Sequence, residues 1–430
     1  MSVTATPETT ASTSEEKLVV KNWKNPIIYG VLSIIGTLLI ALRAPKSTIS
    51  LGISDGVSWF SVEPLNINPQ IYGWVASIVM LALAGYALVT TNAGKAPGRW
   101  VAPLFWFSFA SGLLIWAIGS TAKPELSLVS LLNGAVLLSI PMIFGSMGGL
   151  LCERSGIVNI AIEGQLLLGA FSAVIVGSTT DSPWAGLIAA MVGGMLVSAL
   201  LALFSIKYLV DQVIVGVVVN VLVSGLTGFL YARVLEANAA TLNSAPKLPA
   251  FAIPGLSEIP VLGPVLFNQN VLVYLMYIVV AVIWFALNKT RWGLRTRAVG
   301  EHPKAADTLG VNVNRLRATN VLLAGAVAGM GGAFFTLVSV SSFNSDMTAG
   351  QGYIALAALI FGRWTPIGAL SAALLFGFSL NLQFVLSILG TRVPTELLAM
   401  LPYLVTIFAV AGLVGRSRGP AAVGKPYIKE

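Results

Sequence analysis

Charged residues are scarce in this 430-residue chain, at 10% of the sequence, whereas soluble globular domains carry about 25%. The chain has one cysteine and one histidine, which excludes a disulfide framework and a metal site built from cysteine and histidine. Hydrophobic residues make up 56% of the sequence, and the mean hydropathy is +0.86. This composition excludes a soluble enzyme, a nucleic-acid-binding domain and a disordered protein. It predicts a polytopic membrane protein.

The net charge of +8 comes from basic residues that lie between apolar runs. Residues 289–317 hold seven Lys and Arg against two acidic residues, and 416–430 add four more basic residues. Cytoplasmic loops of membrane proteins collect Lys and Arg. The distribution therefore predicts that both termini and the 289–317 loop are cytoplasmic, and that the long loops 45–69 and 232–268 lie outside. It indicates topology and does not indicate nucleic-acid binding.

Apolar runs of membrane-spanning length recur along the chain, since a bilayer core of about 30 Å takes roughly 20 helical residues. The predicted spans are 26–42, 70–91, 100–120, 126–147, 160–178, 184–206, 211–231, 270–288, 318–338, 367–389 and 396–414. The apolar run 352–362 is too short to cross alone, and with the turn 363–366 it is predicted to be re-entrant or broken. The expected fold is an all-α polytopic integral membrane protein with about 10–12 transmembrane or re-entrant helices.

Polar residues inside apolar spans are functional candidates. The candidates for a translocation path are Asn159, Glu163, Gln165, Asn220, Asn381 and Gln383. Glu163 either lines a cavity with Asn159, four residues earlier on one helix face, or pairs with Arg154, or caps an adjacent helix terminus. Asn220, Asn381 and Gln383 are either interhelical hydrogen-bond groups or substrate contacts.

Small residues recur at helical spacing in the run 325–333. Gly325, Gly329 and Gly332 are the candidate helix-packing residues, because small residues let helix backbones approach closely and move against each other.

A short amphipathic helix is predicted in the 289–317 loop, where Pro303 lies at a first-turn position and Gly310 just past the end. Ala305 and Leu309 share one face. Such a helix docks into a groove of a partner protein or lies on the lipid surface, and its small apolar face favours docking. The candidate docking residues are Glu301, His302, Pro303, Lys304, Ala305, Ala306, Asp307, Leu309 and Gly310.

No phosphate-binding G-x-x-x-x-G-K-[ST] motif occurs in the sequence. If transport is driven by ATP, the ATPase is therefore another chain, and no cofactor is expected on this one. An ion-driven secondary transporter is the alternative class. The near absence of carboxylates within the spans and the single histidine weigh against it.

Two segments resemble a known family: SGIVNIAIEGQ at 155–165 and RAVGEHPKAADTLGVNV at 297–313. Over roughly 125–415 the chain resembles the permease subunits of bacterial ABC importers for branched-chain amino acids, simple sugars and nucleosides. The segment EHPKAA at 301–306, the loop 253–264, the run 355–364 and the terminal GKPYIK at 424–429 are most similar to purine nucleoside (guanosine) permeases.

The resemblance implies a nucleoside importer in the bacterial plasma membrane, with a simple sugar or a branched-chain amino acid as the alternative cargo. It implies that 301–310 is the coupling helix, which contacts an ATPase with paired cassettes that binds ATP and magnesium. A second, non-identical permease and a lipid-anchored, extracytoplasmic binding protein are the other implied partners.

The resemblance also divides the chain. Residues 1–25 are expected to form a disordered cytoplasmic tail, 26–124 an extension of about three spans, 125–415 the permease core, and 416–430 a basic cytoplasmic tail. The extension has no counterpart in the short form of the family.

Overall fold

The computed structural model describes residues 23–53, 63–121, 124–391, 393–403 and 418–429. In these ranges, ten helices are long and apolar enough to cross a membrane. They are Lys24–Ala41, Pro69–Asn92, Val101–Gly119, Leu128–Arg154, Ile162–Thr180, Pro183–Lys207, Gln212–Leu235, Val271–Lys289, Val313–Ser339 and Pro366–Ile388. The predicted all-α polytopic membrane fold is confirmed, and the side on which the termini lie stays a prediction.

The chain forms two compact units, of which unit 1 comprises residues 1–50 and 66–125. Its helices are α1 (Lys24–Gly36), α2 (Pro69–Asn92) and α3 (Val101–Gly119), and a π-helical turn, Thr37–Ala41, extends α1. The three helices bury an apolar cluster in which the rings of Tyr29 and Phe105 are 4.5 Å apart. There are three short strands: β1 (Ile49–Gly52), β2 (Leu65–Ile67) and β3 (Glu125–Ser127). Each strand includes one of the three points in the sequence where the chain leaves one unit and enters the other.

Unit 2 comprises residues 51–65 and 126–430. Its helices are α4 (Leu128–Arg154), α5 (Ile162–Thr180), α6 (Pro183–Ala202), α7 (Gln212–Leu230), α8 (Ala239–Leu242), α9 (Val271–Lys289), α10 (Arg291–Glu301), α11 (Pro303–Thr308), α12 (Val313–Phe334), α13 (Gln351–Phe361), α14 (Pro366–Ile388) and α15 (Thr395–Ala399). The π-helical turns Leu203–Lys207, Tyr231–Leu235 and Phe335–Ser339 extend α6, α7 and α12, and a fourth, Gly263–Phe267, stands alone. Strands β4 (Ala250–Ala252) and β5 (Asn268–Asn270) pair antiparallel, with Phe251 opposite Gln269.

Helix α12 is the central helix of unit 2, because it packs against α4, α5 and α6. The span Val313–Ser339 contains α12, and 78% of its most apolar stretch is buried. The corresponding fraction is 33–39% for the spans that contain α6, α7, α9 and α14.

Three glycines of α12 face neighbouring backbones directly. A β-carbon at Gly329 would lie 2.1 Å from the carbonyl oxygen of Ala190 in α6, and one at Gly332 would lie 2.1 Å from that of Leu166 in α5. A β-carbon at Gly325 would lie 2.3 Å from another carbonyl oxygen of α6. No side chain fits into such gaps, so α12 meets α5 and α6 backbone to backbone.

The short apolar run 352–362 is α13, which is too short to span alone, as the sequence predicts. Two other predicted segments fall partly outside the described residues. The predicted span 396–414 lies partly outside the described residues, which show only its beginning as α15. Of the predicted tail 1–25, residues 1–22 are outside the described residues, and Lys24 already begins α1.

Replacing Gly329 with alanine should destabilise the protein, because the added methyl group would overlap a carbonyl oxygen of α6. Overpacking of this kind typically costs about 1–3 kcal/mol. The midpoint of thermal unfolding in detergent should fall. Gly225→Ala in α7 is the matched control, since its β-carbon would have no neighbour within 4 Å. Equal midpoints for the two variants would contradict the backbone contact.

Candidate functional site

Residues 157–161 form a non-helical segment between α4 and α5. The sequence pattern predicts a span that starts at residue 160, with Asn159 and Glu163 on one helix face. That expectation was wrong, because α5 begins at Ile162 and Asn159 precedes it. The turn before the segment depends on Gly156, whose φ of +93° favours glycine.

Side chains of α7 satisfy the backbone of this non-helical segment. Gln212 Oε1 accepts a hydrogen bond from the Val158 amide at 2.7 Å. Asn220 Nδ2 donates to the Ile160 carbonyl at 2.8 Å, and Asn220 Oδ1 accepts from the Gly164 amide at 2.8 Å. Non-helical backbone at membrane depth persists only where other groups replace the missing helical hydrogen bonds. Asn220 therefore has a structural role whatever else it contacts.

The side-chain amides of Asn159 and Gln165 are hydrogen-bonded to each other, and both residues are fully buried. Asn159 Nδ2 donates to Gln165 Oε1 at 3.1 Å, while Gln165 Nε2 donates to Asn159 Oδ1 at 3.2 Å and to Ser198 Oγ at 2.8 Å. The pair joins the segment to α5 and α6. This geometry is that of interhelical hydrogen bonds and leaves neither amide open to a ligand.

Glu163 caps the beginning of α13. Its carboxylate accepts hydrogen bonds from Thr348 Oγ1 at 2.6 Å, from the Gly350 amide at 2.8 Å and from the Gly352 amide at 2.6 Å. A carboxylate at a helix N-terminus satisfies free amides and is stabilised by the helix dipole. Arg154 donates instead to the carbonyl of Trp364, 2.9 Å from its Nε. Of the three interpretations of Glu163, the geometry is that of the cap.

The sequence analysis did not identify Tyr353, which extends the Asn220 network to the surface. Asn220 Nδ2 lies 3.2 Å from the Tyr353 hydroxyl, and the Tyr353 side chain is 49% exposed. One turn further along α7, Ser224 Oγ donates to Asp346 Oδ1 at 2.6 Å. We call Glu163, Asn220, Ser224, Asp346 and Tyr353 the polar strip. The available signal in the sequence is a phenol just before the apolar run 354–361 of a short helix.

Asn381 and Gln383 lie apart from the polar strip, on α14. Asn381 Nδ2 donates to the Leu131 carbonyl of α4 at 2.7 Å. Its amide fills the space above Gly134, where a β-carbon would lie 2.5 Å from Asn381 Oδ1. Gln383 is half-buried on the same helix and belongs to neither amide network. Asn381 thus joins α14 to α4.

The 289–317 loop contains two helices, α10 and α11. In α11 Pro303 is the first residue, and Gly310 follows with a φ of +81°. Of the nine candidate docking residues, Glu301, His302, Lys304, Ala305, Leu309 and Gly310 are exposed, Pro303 and Asp307 are half-buried, and Ala306 is buried. Leu309 is 84% exposed, an unusual position for a large apolar side chain outside the spans. Helix α10 was missed because its many arginines mask its apolar positions.

Removing the charge of Glu163 should loosen the start of α13. In Glu163→Gln, the amide nitrogen would face backbone donors, and leaving a buried donor without a partner costs about 1–3 kcal/mol. Hydrogen exchange at the Gly350 and Gly352 amides should become faster. Asp181→Asn, a charge removal at the exposed far end of α5, should leave this exchange unchanged. Unaltered exchange in Glu163→Gln would show that the cap does not stabilise α13.

Three curated proteins are similar to this chain over about two thirds of its length. A guanosine ABC transporter permease of Bacillus subtilis is 41% identical over 298 residues, which are 67% of this chain and 93% of the relative. A nucleoside ABC transporter permease of Lactococcus lactis is 40% identical over 68% of this chain and 94% of its own. A putative glucose ABC transporter permease of Haloferax volcanii is 31% identical over 70% of this chain and 98% of its own. No solved structure matches significantly.

The family described as the permease component of branched-chain amino acid transport systems matches residues 130–410. The match covers the spans from α4 to α14 and the loop with α10 and α11, and it begins after unit 1. The chain therefore belongs to this family of ABC transporter permeases, which are non-catalytic, multi-pass membrane subunits.

Proposed function

We propose that this chain is the transmembrane permease subunit of an ATP-driven ABC importer that moves nucleosides across the bacterial plasma membrane. The observation that carries the proposal is the identity of 41% and 40% to a guanosine and a nucleoside permease over at least 93% of their lengths. The relative described as a putative glucose permease is 31% identical. A sugar is therefore the second candidate cargo.

An ABC transporter permease works with an ATPase and a binding protein. We propose an ATPase with paired cassettes, a second and non-identical permease, and a lipid-anchored extracytoplasmic binding protein. ATP and magnesium bind to the ATPase, and this chain holds no cofactor of its own. In this arrangement both termini and the loop with α10 and α11 face the cytoplasm, in keeping with the seven basic residues of 289–317.

The proposed coupling begins at α11 and passes into the membrane through α12. The exposed Leu309 and Ala305 contact the ATPase, and α12 begins at Val313, only four residues after Leu309. When the cassettes close on ATP, they favour one of two arrangements of the spans, as any such coupling requires. The glycine face of α12 is suited to this movement, because a backbone contact without interlocking side chains permits displacement.

The polar strip is the proposed part of the translocation path in this chain. Tyr353 offers an exposed aromatic ring on which a nucleobase can stack. Asn220 holds the Tyr353 hydroxyl, so the ring is oriented from within the protein. A purine nucleoside carries the matching chemistry, a flat base and several hydrogen-bonding groups.

Leu309→Asp should weaken association with the ATPase. A buried apolar anchor at the centre of an interface contributes about 2 kcal/mol or more, which corresponds to roughly thirtyfold in Kd. Binding of the purified permease to its ATPase measures the effect, and Leu309→Met is the matched control because it keeps an apolar side chain. The charge reversals Lys304→Glu and Asp307→Lys should weaken binding less. Unchanged Kd and unaltered ATP-driven uptake in Leu309→Asp would refute the coupling assignment.

Guanosine and other nucleosides should stabilise the associated binding protein against heat, whereas ribose, glucose and leucine should not. A ligand at about 100 times its Kd stabilises a protein by about 2.7 kcal/mol, which a thermal-shift panel detects. ATP-driven uptake of the same compounds by the assembled complex is the second measurement. Stabilisation and uptake with a sugar but with no nucleoside would refute the nucleoside cargo.

A further inference from the structure

The C-terminal segment, residues 418–429, folds back onto the end of α10. The Ala422 amide donates to the Gly300 carbonyl at 2.9 Å. The Ala421 amide donates to Glu301 Oε2 at 3.1 Å. Pro420 and Ala422 are buried by this contact. The sequence predicts a basic cytoplasmic tail at 416–430, and the structure attaches its described part at the residue pair Gly300 and Glu301, which leads from α10 into α11.

A buried arginine ties the same segment to two spans. Arg317, near the start of α12, is 2% exposed. Its Nε donates to the Ser155 carbonyl at the end of α4 at 3.1 Å, and its Nη1 donates to the Lys425 carbonyl at 3.2 Å. Two of its three nitrogens thus meet carbonyl acceptors, which offsets part of the cost of burying the guanidinium, while Nη2 has no hydrogen-bond partner among the described residues. The position of the C-terminal segment is therefore set by the ends of α4 and α12.

Tyr427 makes the apolar contacts between the C-terminal segment and helices α10, α11 and α12. It is 7% exposed and forms one cluster with Val299 of α10, Ala306 of α11 and Val313 of α12. The adjacent Ile428 points the other way and is 65% exposed. Tyr427 thus covers the buried side of α11 at Ala306, whereas Leu309 at the end of the helix stays exposed.

Helix α11 has only six residues, far fewer than an isolated helix needs in water, about 12–15. Its geometry therefore depends on what packs beneath it. We propose that the C-terminal segment positions the coupling helix, with Tyr427 as the positioning residue that holds α11 against α10 and α12. This inference rests on the proposed function, and it extends that function to residues 418–429, which lie beyond the family match.

The test compares Tyr427→Ala with Ile428→Ala, its exposed neighbour, and with the conservative Tyr427→Phe, in the complex with ATPase and second permease. A spin label at Thr308→Cys, an exposed residue of α11 outside the proposed ATPase contact, reports on the motion of α11, in a Cys152→Ala background because Cys152 is the single cysteine. In Tyr427→Ala, the label should become more mobile, and nucleoside uptake per ATP hydrolysed should fall by about fivefold or more. Ile428→Ala should match the parent in both measurements. Tyr427→Phe keeps the ring but loses the hydroxyl that interacts with Arg317, so it should lie closer to the parent than Tyr427→Ala does.

The two measurements separate the possible failures. An unchanged label in Tyr427→Ala would overturn the packing role, and a mobile label with unchanged uptake per ATP would overturn the link to coupling. Should Tyr427→Ala fail to fold, Tyr427→Leu retains part of the apolar contact and should give intermediate values of both quantities. If the parent complex neither hydrolyses ATP nor moves nucleosides, the proposed function fails. The label in detergent-purified full chain then still decides the packing role.

Discussion

A membrane offers no water to an unpaired backbone group, so each amide and carbonyl at membrane depth needs a partner within the protein. Ten described helices meet this demand through their own hydrogen bonds. Where the helical run is interrupted, at 157–161 and before α13, side chains supply the partners: Gln212 and Asn220 at the first interruption, and Glu163 at the second. These interruptions account for several of the few polar residues that the spans of unit 2 contain.

The same demand links structure to the proposed path. Asn220 reaches both the interrupted backbone and Tyr353, so the group that orients the exposed phenol is itself immobilised by the fold. The Glu163 carboxylate is likewise held in place by its hydrogen bonds to the amides at the start of α13. A nucleoside would then meet an arrangement of groups that is already in place, which lowers the entropy lost on binding. Polar residues can be structural and still define the shape of a path.

The spans could be predicted because hydrophobicity over about 20 residues is a strong local signal. The beginning and the end of α11 could be predicted because Pro303 and Gly310 act locally. The beginning of α5 could not, since residues 157–162 are almost uniformly apolar whether helical or extended. The partners of Glu163 lie 185 or more residues away in sequence. The attachment of residues 418–429 rests largely on backbone groups, such as the Ala422 amide and the Lys425 carbonyl, which no residue type reveals.

The two sides of α11 explain how a six-residue helix can transmit force. A docking surface gains affinity from an apolar centre within a polar rim, and Leu309 with Lys304 and Asp307 has that composition. If α11 were loosely packed, Leu309 could still bind the ATPase, but a movement of the ATPase would shift α11 alone and would not reach the spans. Packing of Ala306 by Tyr427 and Val313 ties α11 to α12, so that in the proposed coupling a push on Leu309 moves a span whose glycines contact α5 and α6. The proposed coupling therefore requires the contact at Ala306 as much as the one at Leu309.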